Sequence, residues 1–369
     1  MTKLESLKDK KFANEIENIK ISKDLYMNTI KSVFFAILLF CYLQIYSQNY
    51  IEYARIKYLA KEAIIDENPQ KAAIYYDSLY NNYDFMYAFD CLTAVMVAVK
   101  NNDSVIAKKF VLKGIEMGTP IKMFNEHYFY KLFLENNLNF NLLSDISQEC
   151  IDSLRAIYAK KINKNKELII KIDSMSVLDQ VSTRKVNNTS KFHSIKKKYR
   201  NKWRIQVTAN AKVLKEIVKT YGMPEEKLIG VAEKFNAYGK IRENKDPTRG
   251  ASYTMLIHYF SDPVDDWEEW KELLYNEVIK GNLQPYQFAS ICDFVARYNI
   301  KGDRTGKDGI FYNCWHYDPN ETRINEVNKR RADIGLPDFN FNLKWDNFNE
   351  SFRDNDYRKN NVVFTNRWY

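Results

Sequence analysis

From Ile51 to about Ile300 the chain repeats one pattern: apolar side chains at helical spacing, in runs cut by short polar breaks. ARIKYLAKEAI (54–64), KAAIYYDSLYNN (71–82), FMYAFDCLTAVMVAVK (85–100) and VIAKKFVLKGIEMG (105–118) open the series. Residues three and four apart share one face of a helix, and an apolar face must be buried against a neighbour. Only 11 Gly and 8 Pro interrupt 369 residues, so little in the chain opposes helix formation. Gly118, Gly222 and Gly281 each close a run, where a helix C-terminus takes up left-handed backbone. Strand-like alternation is confined to FYNCWHY (311–317). The expected fold class is mostly α.

The runs group into regions. Residues 88–118 form a helix, a four-residue polar turn and a helix ending in Gly, a unit similar to a tetratricopeptide pair. One such pair cannot bury its apolar face alone, so neighbours stack. Residues 51–172 therefore read as a tetratricopeptide-like helical region whose concave surface suits a protein or peptide partner. An irregular bundle acting as a spacer fits the same pattern. KKINKNKELIIKIDSMSVLDQVSTRKV (160–186) predicts a long polar helix, and 173–206 reads as a helical, basic linker. Within it RKVNNTSKFHSIKKKYRNKWR (184–204) carries nine Lys or Arg and no acid, interleaved with Tyr199 and Trp203. Such a stretch suits an anionic backbone or anionic headgroups; an exposed connector has the same composition.

Residues 207–345 form a second all-α or mostly α domain, with helices expected over 207–222, 225–240, 251–262, 266–281 and 286–300. Residues 346–369 are a polar tail ending NVVFTNRWY.

No charge lies between Lys31 and Glu52, and residues 32–46 read SVFFAILLFCYLQIY. A membrane-spanning helix needs about 17–25 apolar residues, so this run is short for a span but long enough for an export signal. Read from Met27, residues 27–48 are a signal peptide with cleavage near Ser47 or Gln48, and 1–26 is an extension upstream of the true start. Read from Met1, residues 1–26 are a charged cytoplasmic segment before an N-terminal anchor. Both readings export the bulk of the protein to the periplasm or cell envelope. A buried core helix is the remaining alternative. Outside the cytoplasm nucleic acid is not an expected partner, whereas membrane association through 32–46 is. The sequence sets no oligomeric state. Cys91, Cys150, Cys292 and Cys314 lie far apart with no CxxC, which favours buried free thiols, with a 292–314 disulfide as the alternative.

His258 and Asp262 are four apart on an expected helix, where the carboxylate is spaced to orient the imidazole. Asp293 falls mid-helix among Ile291, Phe294 and Val295, and a carboxylate buried there needs a partner. His258, Asp293 and Arg330 are thus the candidate catalytic residues, with Asp262, Trp315 and His316 as candidates for lining a pocket. Structural hydrogen bonds between helices would account for the same residues. There is no HExxH, GxSxG or phosphate-cradling glycine loop, and only 4 His, so no cofactor or metal is implied.

Several pieces of the second domain carry a resemblance to a known family. They are Asp179-Gln180 with Arg184; Asn210 followed by VLKEIVKTYGMPEEKLIG (213–230); LIHYF (256–260); CDFVARYN (292–299); and DPNETRINEVNKRRADIGLPDF (318–339). In the last, Asp318, Pro319, Val327, Arg330, Arg331, Gly335, Leu336 and Pro337 fall on the pattern. Together they resemble a bacterial family catalogued as domain of unknown function 6624, over about 179–339. GIFYNCWH (309–316) stands where the family usually has Tyr-Gly-Thr-Gln. The resemblance implies a shared polar site at His258, Asp293 and Arg330 without naming a reaction. A helical repeat before such a domain, behind an export signal, also resembles proteins of the Bacteroidota. Two functions follow as expectations: an exported interaction or scaffold protein holding a protein or peptide, or a hydrolase-like enzyme or small-ligand binder using the His258–Asp293 site.

Overall fold

The computed structural model describes residues 48–121, 146–188, 193–231, 251–299, 310–311 and 321–341, with isolated positions elsewhere. Among these every regular element is a helix, and there is no strand. Met1–Gln48 and Asn49–Tyr369 are separate compact units. The apolar run of residues 32–46 lies, save for scattered positions, outside the described residues. Among the described residues no helix is long and apolar enough to cross a membrane.

The second unit begins with four helices: α1 (Tyr50–Ile65), α2 (Pro69–Asn82), α3 (Ala88–Lys100) and α4 (Ser104–Glu116). Their starts are written locally. Asn49, Asn68 and Asp103 accept hydrogen bonds from the backbone N–H groups of Ile51, Lys71 and Ile106, and each such cap is worth about 1 kcal/mol. α1 packs along α2 and α3 along α4. Tyr53, Tyr76, Leu79, Val95, Phe110 and Ile115 fill the core between them.

The next helix packs on α4 and sends Ile151 into the first core, and a second core collects around the helices after it. α5 (Gln148–Lys164) and α6 (Lys166–Asn188) meet at Asn165, whose Nδ2 donates to the Leu228 carbonyl at 2.7 Å. The long helix expected from residue 160 is therefore broken near its start. α7 (His193–Tyr221) runs along α6 and takes in the basic stretch. Of the helix expected over 225–240 the described part is α8 (Glu226–Ile229), and 232–240 lie outside the described residues. Gly230 ends it at φ 79°, where a side chain would also run into Tyr158. Then come α9 (Ala251–Tyr259), α10 (Trp267–Ile279), α11 (Pro285–Asn299) and α12 (Glu321–Asp333). Leu214, Leu256, Phe260, Trp270, Leu274 and Ile291 are buried among them.

α1 serves both cores, because Tyr50 and Tyr53 enter the first while Ile51 enters the second. The Tyr87 hydroxyl donates to the Gly281 carbonyl at 2.9 Å, and Arg55 donates to the Ala332 carbonyl at 2.9 Å. Tyr87, at the N-cap of α3, makes no side-chain cap of its own. Glu226, more than a hundred residues later, accepts from Ala88 N at 2.6 Å instead. Cys91, Cys150 and Cys292 are free thiols, which leaves no 292–314 disulfide. Burial raises the pKa of both Cys91 and Cys292, keeping them protonated.

Candidate functional site

α9 ends at Tyr259, three residues short of Asp262. Pro263 follows, and the residue before a proline is pushed out of helical backbone. His258 and Asp262 therefore do not share a helix face, which corrects the i,i+4 pairing. Asp262 instead takes a two-pronged pair of bonds from Arg204, at 2.6 and 2.7 Å, with Arg200 at 3.9 Å. This bond raises the already high pKa of Arg204.

The imidazole of His258 has a different carboxylate. Asp179 on α6 stands with Oδ2 2.7 Å from His258 Nδ1. A carboxylate only accepts, so Nδ1 carries the proton and Nε2 is left with its lone pair. Among the described residues nothing hydrogen-bonds Nε2. Asp179 is 1% exposed, whereas the imidazole keeps 21% of its surface open to solvent. Trp203 of α7 meets the imidazole edge-on at 6.0 Å and donates its indole N–H to Thr183 Oγ1, one turn along from Asp179. Gln180 Nε2 reaches Asp179 Oδ2 at 3.3 Å. Deeper in the same seam, Asn210 donates to the Met175 carbonyl and accepts from Gln206. Three helices thus contribute to the site: α6 the carboxylate, α7 the aromatic wall and α9 the base. One atom is out of balance. Asp179 Oδ1 is buried with no hydrogen-bond partner among the described residues, a state that costs on the order of 1–3 kcal/mol.

Asp293 and Arg330 come together elsewhere, without His258. Asp293 is fully buried on α11, and its Oδ1 accepts from the backbone N–H groups of Ile310 and Phe311, both at 2.8 Å. From α12, Arg330 Nε donates to the Ile310 carbonyl and Arg331 Nη1 to the Phe311 carbonyl, each at 2.9 Å. Arg331 is 1% exposed and also donates to the Pro337 carbonyl. Burial lowers its pKa, while Tyr58 and Asp293 oppose the shift. Both N–H groups and both carbonyls of residues 310–311 are held, so this cluster is a clamp on the chain. Trp315 and His316 lie outside the described residues.

A third polar group joins the two cores. Lys57 lies 3.9 Å from Asp90 with both side chains nearly inaccessible, and Tyr53 donates to Asp90 at 2.8 Å. Beyond them Glu226 caps α3, and Glu225 accepts from Tyr253 N in the first turn of α9. Burial pushes the carboxyls of Glu225 and Glu226 up to about 7. Among the described residues no three His, Cys, Asp or Glu side chains are grouped to hold a metal ion.

Sequence reasoning quoted Asp179 within the resemblance but did not place it at the site. Helical spacing finds neighbours on one helix; a partner 79 residues away leaves no such trace. The signal available was the buried face of α6, where Ile172, Met175, Ser176 and Asp179 recur at three- and four-residue steps. A carboxylate on an otherwise core-facing stripe demands a partner. Comparison of the chain with protein-family models, with curated proteins and with solved structures finds no match.

Proposed function

We propose that the protein is an exported, hydrolase-like enzyme whose proton-transfer centre is His258 held by Asp179. The observation that carries this reading is the pair itself: an imidazole partly open to solvent, its Nδ1 fixed by a buried carboxylate whose other oxygen has no partner among the described residues. A histidine of the core would be closed off at both nitrogens. Here the tautomer is set and Nε2 is the basic atom, the arrangement a general base requires. Nε2 takes the proton from a water or hydroxyl as its oxygen attacks the electrophilic centre, Asp179 balances the positive charge on the ring, and the imidazolium then gives that proton to the departing oxygen or nitrogen as its bond to the centre breaks. Trp203 forms one wall of the site.

The reading includes membership of the family that residues 179–339 resemble. Asp179, His258, Asp293, Arg330 and Arg331 all belong to the matching pieces, and each takes part in one of the two hydrogen-bonded clusters. It also keeps the apolar run 32–46 as an export signal or anchor and α1–α4 as tetratricopeptide-like pairs. A scaffold role for α1–α4 receives less support. Tyr53, Tyr76, Tyr83, Phe85 and Tyr87 are buried, and the exposed large apolar residues there are scattered aliphatics such as Ile74 and Val105.

Diethyl pyrocarbonate acylates imidazole nitrogens that carry an accessible lone pair, and peptide mass spectrometry locates the adduct. His258 is expected to react in the native chain, and Asp179→Asn to change its rate. Turnover found on a panel of chromogenic esters, amides and phosphoesters is expected to vanish in His258→Gln with the helical circular dichroism unchanged. A His258 that reacts only after denaturation would sink the reading.

A further inference from the structure

The sequence from Gln180 to Lys215 contains eleven Lys or Arg and no Asp or Glu. In the structure residues 180–188 and 193–206 of this stretch form one end of the paired helices α6 and α7. Among its described side chains none between Gln180 and Gln206 is buried, whereas Ile172, Met175 and Asp179 below it and Val207, Asn210 and Leu214 opposite them are. The pair is thus rooted in the second core by one end only. Its far end is an arm of two helices. Lys197, Lys198 and Lys202 are exposed, while Arg200 and Arg204 are drawn to Asp262. Apolar residues are also exposed on the same two helices. On α6 a stripe at helical spacing runs through Ile170, Val177, Leu178 and Val181 to Arg184, and on α7 Ile205 is 72% exposed.

We infer that this arm docks on an anionic membrane surface, its lysines among acidic headgroups and its aliphatic stripe at the acyl boundary. Two observations favour lipid over a soluble polyanion. Apolar side chains on the helices that carry the cations gain nothing from a phosphate chain but are buried by a bilayer interface. The same chain also carries the charge-free apolar run 32–46, and a tether to a bilayer raises the local concentration of that surface around the arm. Each lysine close to an anionic surface strengthens binding by about fivefold. Three are worth on the order of a hundredfold at low salt, less as ions screen them. The inference does not rest on the His258 reading.

The test uses the full-length chain on vesicles of phosphatidylcholine alone and of phosphatidylcholine with one-third phosphatidylglycerol. Amine-acylation footprinting at Lys197, Lys198 and Lys202 should show several-fold protection on the anionic vesicles relative to the neutral ones, while Lys71 on α2 is unaffected. The extra vesicle binding contributed by phosphatidylglycerol should be lost in K197E/K198E/K202E and kept in His258→Gln. Equal labelling on both vesicle types, or an increment that survives the triple reversal, overturns the inference. Protection by soluble heparin but not by the anionic vesicles also overturns it.

Discussion

Asp179 and Asp293 are both buried carboxylates on helices of one core, and they do opposite things with their oxygens. Asp293 gives Oδ1 to two backbone N–H groups, and two arginines hold the matching carbonyls of the same two residues. Asp179 gives one oxygen mainly to an imidazole with a solvent-facing surface, and its other oxygen has no partner among the described residues. A carboxylate that holds two backbone N–H groups stabilises a fold. One whose bonding is incomplete costs stability and needs another justification, which is why chemistry is assigned to Asp179 and architecture to Asp293.

The sharpest way to break this contrast is to remove the clamp. Asp293→Ala leaves two buried N–H groups without an acceptor and Arg331 without its nearby countercharge. The expected loss is about 3–5 kcal/mol in urea unfolding. Arg331→Met should destabilise by a comparable amount, and the double variant by clearly less than the sum, because the two act through the same two residues. A loss below about 1 kcal/mol for Asp293→Ala would remove the distinction.

Glu225 and Glu226 offer an intermediate case, since each accepts a backbone N–H while Glu225 is buried and Glu226 half-buried beside it. Their folded pKa near 7 stands above the ordinary value of 4.5. A raised folded pKa means the protonated form is favoured in the fold. The stability it contributes is fully present below about pH 4.5 and lost as pH rises through about 7, on the order of a few kcal/mol for the pair. Thermal unfolding should accordingly shift downward between pH 5 and 7.5, and Glu225→Gln should flatten that slope while keeping an acceptor for Tyr253 N. A flat profile in the native protein would show that these carboxyls are better solvated than their geometry implies.

What the sequence disclosed follows the same division between local and distant. Helix ends at Gly118, Gly222 and Gly281 were legible because each demands positive φ, and each has it, at 95°, 93° and 73°. The helical runs from α1 to α4, α10 and α11 were legible because their periodicity is local. Asn165 was not, since what stops the helix there is a carbonyl on α8, reached only in the folded chain. The polar residues were found but their pairing was not. His258 was matched to Asp262 by spacing, and to Asp293 and Arg330 by resemblance. Three-dimensional packing gave it Asp179 and sent the others to separate duties.

The smallest expected effect on stability is the most informative about function. Asp179→Asn keeps the shape of the side chain and removes a charge that the fold leaves half satisfied, so unfolding free energy should change by about 1 kcal/mol or less. The amide cannot hold Nδ1–H with the same strength, and the ring gains access to the other tautomer, which moves the lone pair off Nε2. Histidine 15N chemical shifts measure that tautomer directly. In the native chain they should report a protonated Nδ1 at His258, and in Asp179→Asn a mixture. A variant that loses several kcal/mol while its tautomer stays fixed would make Asp179 a second Asp293, a structural carboxylate, and would leave His258 without the device that makes it a base.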